Sequence, residues 1–192
     1  MSATAQCVLF QFGSDPMNFQ FEDSQERVAF TSYETNGRPA SVLCKLLISL
    51  KVIQVPNVIV QLTRHDEWAS QHPGIMGPRN AFLYFGPSNS PGQVAYGNGE
   101  RVPMPYYLRK KKDGSNSRYF NAQGGKEFKW KTVSSQRMEL CDSLNVYAVW
   151  EKAPPGLEHD AQITLSATSL VFVTEVLTTL TLNLVAKRLD FW

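Results

Sequence analysis

Apolar and polar positions alternate with a period of two over much of the chain, and the breaks between these stretches are rich in Gly, Pro, Asn and Asp. Successive side chains on a strand point to opposite faces, so this alternation marks half-buried strands. Residues 7–12, 17–22, 28–33, 57–64 and 81–85 read this way in the first half, and 117–120, 126–132, 138–140, 144–150 and 161–167 in the second. Phe19 and Phe21 share one face of their stretch, while Phe128 and Trp130 lie on the opposite face from Lys129 and Lys131. Asn36-Gly37 and Asp113-Gly114 are turn signals, because a tight hairpin turn needs the positive φ that Gly adopts without strain. The second predicts a hairpin with arms 106–109 and 117–120. The pattern as a whole predicts a mainly β, antiparallel fold.

Three stretches depart from it. Residues 41–54 are Leu-rich, with Val42, Leu43, Leu46, Leu47 and Leu50 at helical spacing, although 50–53 can equally continue as strand. Residues 86–105 are dense in Gly and Pro and read as one long irregular loop, either a surface excursion or a contact site. The segment 169–186 is the most informative. Residues 179–184 alternate strictly, as a strand does, yet Ser166 or Ser169 can cap a helix, and Glu175 and Lys187/Arg188 suit the two ends of a helix dipole. A helix over 170–186 would be apolar on almost every side and would have to be buried all round. It is short for a membrane span and carries Glu175 and Asn183, so no transmembrane segment is expected. The pattern alone leaves strand and helix both open.

At 192 residues, 43% hydrophobic and 19% charged, the chain suits one globular domain over 1–192 and excludes disorder. Its opening 16 residues lack the basic and apolar regions of a signal peptide, and Cys7, Cys44 and Cys141 are odd in number and widely spaced. These features predict an intracellular protein, cytoplasmic or peripheral at a membrane, without a disulfide framework. The net charge of +2 hides an asymmetry: residues 101–137 carry +8, residues 1–100 carry −2 and residues 138–192 carry −4.

The stretch SRYFNAQGGKEFKWK at 117–131, the strand at 146–150 and the apolar tail with Thr174 resemble an uncharacterised fungal domain family of basidiomycete type. That family is placed with the tubby C-terminal-like proteins, alongside the phospholipid scramblases and LURP-one-related proteins. The resemblance covers about residues 17–189. It implies an antiparallel tubby-like β-barrel wrapped around a C-terminal hydrophobic helix, which decides 170–186 in favour of helix. Members of the family pass straight from the early hairpin into the next strand, so residues 41–54 read either as an insertion or as a stretch wrongly retained in the gene model, and the 86–105 loop has no counterpart in the shortest members.

The +8 stretch supplies the candidate site: Arg109, Lys110, Lys111, Lys112, Arg118, Lys126, Lys129 and Lys131. Strands of one sheet would gather several of these on one face, and tubby-like relatives bind phosphoinositides through basic residues. The reading is a non-enzymatic binding domain that meets anionic phospholipid or phosphoinositide, with no cofactor and no metal; a solvated edge that discourages aggregation accounts for the same charges. Nucleic acid is disfavoured, because Phe128 and Trp130 are expected in the core rather than available for stacking. One alternative is a protein–protein scaffold. Another is a metal-assisted hydrolase using His65, Asp66, Glu67 and His72, whose spacing matches no metal motif. His159-Asp160 forms a second His–carboxylate pair. No nucleophile elbow or phosphate-binding Gly loop is present, so no catalytic residue is assigned.

Overall fold

The alternating stretches become the strands of one antiparallel sheet. The computed structural model describes residues 6–35 and 58–191, so the Leu-rich stretch 41–54, the Asn36-Gly37 turn and Cys44 lie outside the described residues. Twelve strands follow in chain order: β1 (Gln6–Asp15), β2 (Asn18–Glu22), β3 (Val28–Thr35), β4 (Val58–Arg64), β5 (Asn80–Phe85), β6 (Gln93–Tyr96), β7 (Val102–Pro103), β8 (Ser117–Asn121), β9 (Glu127–Ser134), β10 (Arg137–Cys141), β11 (Val146–Lys152) and β12 (Ala161–Ser166). Their order across the sheet is β7-β6-β5-β4-β3-β2-β1-β12-β11-β10-β9-β8. Two meanders thus join where β12 returns beside β1, in a register that places Leu9 opposite Ile163. β1 bends away from β2 after Phe12, next to Gly13 at φ +101°, where a Cβ would come within 2.8 Å of the Asn18 carbonyl oxygen.

The edge strands β7 and β8 are not hydrogen-bonded to each other. The chain between them passes through a helical turn, α2 (Met104–Tyr107), which follows α1 (Asp66–Ser70) in the sequence. It then meets β8 at a single bridge, with Arg109 N donating to Tyr119 O at 2.7 Å and Tyr119 N to Arg109 O at 2.8 Å. The hairpin expected from 106–109 and 117–120 is therefore reduced to one residue pair. Pro105 favours the start of a helical turn, and that turn buries both Met104 and Leu108, four residues apart. Residues 86–105, expected as irregular loop, also contribute β6 and β7. Gly92 permits that pairing, because a Cβ there would lie 2.0 Å from the Tyr84 carbonyl oxygen.

The inner face of the sheet carries Phe21, Phe30, Phe85, Phe120 and Trp130, all fully buried. Each such side chain contributes about 1.5–3 kcal/mol by leaving water. Against them packs the C-terminal helix, entered through a short turn, α3 (Ala167–Leu170), in which the Ser166 hydroxyl accepts from Ser169 N. The long helix α4 (Val173–Arg188) is buried from Val173 to Asn183 without a break. Contacts reach it from both halves of the sheet: Arg64 Nη1 on β4 donates to Thr174 Oγ1 at 2.9 Å, and Trp130 Nε1 on β9 donates to Thr179 Oγ1 at 2.9 Å. Arg188 pairs with Asp15 at the end of β1. The sheet therefore curves around the helix.

The strict alternation of 179–184 is compatible with helix because its polar members satisfy themselves. Thr178, Thr179 and Thr181 donate their hydroxyls to the carbonyls four residues back, and Asn183 Nδ2 donates to Thr179 O. Such back-bonding lets a Thr methyl face the core while its hydroxyl stays paired. Among the described residues, no helix is long and apolar enough to cross a membrane.

Candidate functional site

The eight basic residues of the 109–131 stretch separate into three environments. On β9 the outward side chains are Glu127, Lys129 and Lys131, and the register sets Lys129 beside Tyr119 and Cys141. Arg109 and Lys111 converge on Glu127, at 3.2 and 2.6 Å, and Lys111 also stands 4.7 Å above the Tyr119 ring. The outer face is thus partly neutralised by its own carboxylate. Lys112 is exposed beside the hairpin turn.

Lys126 leaves this group altogether. It pairs with Asp142 at 2.8 Å and donates to the Tyr147 hydroxyl at 2.7 Å, while Tyr147 donates in turn to Asp142. Asp142 is held well below the ordinary carboxylate range by the Lys126 hydrogen bond, backed by the amides of Leu144 and Asn145.

Arg118 and Lys110 come together at the opposite end of the molecule. Arg118 alternates inward with Phe120 on β8 and is only 6% exposed. Its Nη1 donates to the carbonyls of Ser115 and Ser117, and burial lowers its pKa. Beside it opens a cleft of about 290 Å³ lined by Lys110, Ser115, Asn116, Thr132, Asn183 and Lys187, together with Arg118. Among the described residues, no carboxylate lines it. Lys187 reaches the cleft from the last turn of α4, with its Nζ 3.5 Å from Met138 Sδ, and partial desolvation pulls its pKa below the ordinary lysine value. Lys187 and Asn183 were not among the sequence candidates. The available signal was the Lys187-Arg188 pair at the end of a buried helix, which accounts for itself as a dipole partner and so points to no ligand.

At the other end of α4 lies a larger pocket of about 380 Å³, walled by Tyr96, Phe128, Tyr147 and Phe172. Its acidic member is Glu175, in the first turn of the helix and 3% exposed. Glu175 Oε2 accepts from Gln123 N at 3.2 Å, and burial pushes its pKa up to about 7.

The remaining sequence candidates have separate local partners. His65 Nε2 is 3.1 Å from Thr31 Oγ1, Asp66 pairs with Arg79 at 2.7 Å, and the His72 ring packs on Trp68 at 4.6 Å. His159 packs on Phe10, and Asp160 accepts from Gly13 N. Among the described residues, no group of three or more His, Cys, Asp or Glu side chains could hold a metal ion. Burial pushes the Cys7 thiol up to about 11 and raises that of Cys141, the reverse of what a nucleophile needs. No protein-family model, no curated protein and no solved structure matches the chain.

Proposed function

We propose that the chain is a tubby-like barrel acting as a non-enzymatic binding domain, which associates with anionic phospholipid by taking a phosphorylated headgroup into the Lys110–Arg118–Lys187 cleft. The observation that carries this reading is the convergence of Lys110, Arg118 and Lys187 on one polar cleft. The barrel description draws support from the Arg109–Tyr119 bridge, which ties the segment after β7 to the edge strand β8, and from the helix buried against the sheet.

The chemistry suits a phosphate group. Ammonium and guanidinium groups form charge-assisted hydrogen bonds with phosphate oxygens, and Ser115, Asn116 and Thr132 add neutral donors around them. Near an anionic surface each cation contributes about 1 kcal/mol. On the outer face Glu127 already occupies Arg109 and Lys111.

Co-sedimentation with phosphatidylcholine vesicles, with and without a phosphoinositide and at low and moderate salt, tests the proposal. Binding is expected with the phosphoinositide, strongest at low salt. Lys187→Glu is expected to abolish most of it and Lys131→Glu, on the outer face, to leave most of it intact. No binding at low salt overturns the proposal, and equal losses in the two variants move the contact from the cleft to the general surface charge.

A further inference from the structure

The pocket at the N-terminal end of α4 is unrelated to phosphate binding, and its chemistry has the opposite sign. Four aromatic rings wall it: Phe128 packs on Phe172 at 4.9 Å and edge-on to Tyr147 at 5.0 Å, and Tyr96 lines it as well. At about 380 Å³ it falls within the size range of small-molecule pockets. Met76 and Val171, both exposed, stand at its lining, so the wall is apolar out to the solvent.

Among the described residues, two charged groups belong to this pocket, Lys126 and Glu175. Lys126 is compensated, since Asp142 and the Tyr147 hydroxyl hold its ammonium. Glu175 is not. It forms no ion pair among the described residues, and its one side-chain hydrogen bond there is from Gln123 N to Oε2, which leaves Oε1 without a partner. A buried carboxylate lacking a counter-ion is costly in any fold. The aromatic walls already show a taste for cations: the Lys126 ammonium stands 5.2 Å from the Phe128 ring centre and 4.8 Å from that of Tyr147.

We propose that this pocket binds a small apolar or aromatic amine, whose ammonium pairs with Glu175 while its body lies against Phe128, Tyr147 and Phe172. The ligand supplies the missing counter-ion and its hydrocarbon part covers the apolar wall. The other titratable groups that face Glu175 are Tyr96 on β6 and Tyr107 on α2, both raised by burial and by Glu175 itself, so both stay neutral while the carboxyl titrates. Lys126 and Tyr147 complete the set at the mouth.

Calorimetric titration with phenethylamine, 2-phenylethanol and 3-phenylpropionate, on the whole chain near pH 8, tests this. Saturable binding of the amine is expected, with the alcohol weaker and the carboxylate excluded. Glu175→Gln is expected to weaken the amine roughly tenfold or more and to leave the alcohol unchanged. Thr168→Trp, an exposed position at the lining, fills the mouth with Glu175 intact and is expected to block all ligands, which keeps the test open should Glu175→Gln fail to fold. Absence of saturable amine binding, an alcohol as tight as the amine, or a folded Glu175→Gln that keeps amine affinity each overturns the proposal.

Discussion

At its N-terminal end α4 carries a carboxyl group into an aromatic pocket, and at its C-terminal end it carries an ammonium into a polar cleft. The helix dipole favours both placements, an acid at the first turn and a base at the last, by about 0.3–1 kcal/mol each at a surface. Burial opposes both. It raises Glu175 and lowers Lys187 from their ordinary values. The dipole thus accounts for the sign of the residue at each end, and desolvation leaves that residue short of a counter-charge. The difference between the ends lies in their surroundings: aromatic rings wall the first, as the proposed apolar amine requires, whereas hydroxyl and amide groups line the second, as the proposed phosphate headgroup requires.

The two ends share one rod, so the largest effect should strike both. Leu180, fully buried midway along α4, is expected to cost about 2–5 kcal/mol when changed to Ala, read as a lower urea midpoint. Ligands for either end should then restore stability by mass action. A loss below about 1 kcal/mol would mean that the helix is not the common core.

The next largest effect separates the ends by pH. The folded-state pKa of Glu175 is about 7 against an ordinary 4.5, so the native state retains a proton that the unfolded chain releases. Stability from this group is full below pH 4.5, falls as pH rises and is lost above the folded value, a change of about 3 kcal/mol. Urea unfolding of the wild type and Glu175→Gln across pH 4.5–8 should show the variant gaining relative stability by that amount toward the alkaline side. A constant difference would place Glu175 in contact with a counter-ion.

Much of this frame was legible in the sequence, and the reason is physical. Period-two alternation reports which side of a sheet is wet, and it located Phe19 and Phe21 on β2 and Phe128 and Trp130 on β9 on their buried faces. It could not decide 179–184, because Thr hydroxyls that bond back to their own helix make a polar position behave as an apolar one. The candidate site was half legible. A run of basic residues tells how much charge is present; the register decides where it goes. One strand, β9, turns Lys129 and Lys131 outward, while the neighbouring β8 turns Arg118 inward and the turn between them sends Lys126 to the far end. Lys187 and Glu175, far along the chain from Arg118 and Gln123, which they meet, left only the local signal of helix-dipole partners.

Midway between the ends, Thr179 accepts from the Trp130 indole. Thr179→Val keeps the shape and leaves a buried N–H unpaired, at an expected cost of about 1–3 kcal/mol in urea unfolding, whereas Thr179→Ser should recover most of it. Because this bond lies between the two sites, neither ligand's affinity should change while the variant stays folded.

The smallest effect is the mirror of the Glu175 experiment. A lysine whose folded pKa is lowered binds fewer protons in the native state than in the unfolded chain, so stability rises with pH between the folded value and the ordinary 10.5. Lys187→Gln should abolish that rise, its relative gain in stability being greatest near pH 7, where the lysine is charged, and smaller near pH 10, as read from urea midpoints at the two pH values. Opposite slopes at the two ends, each in its own window, are what desolvation demands. A lysine whose pKa was raised by the helix dipole would instead lose stability on the alkaline side, and the substitution would remove that loss; this outcome would show the dipole prevailing over burial at the C-terminal end.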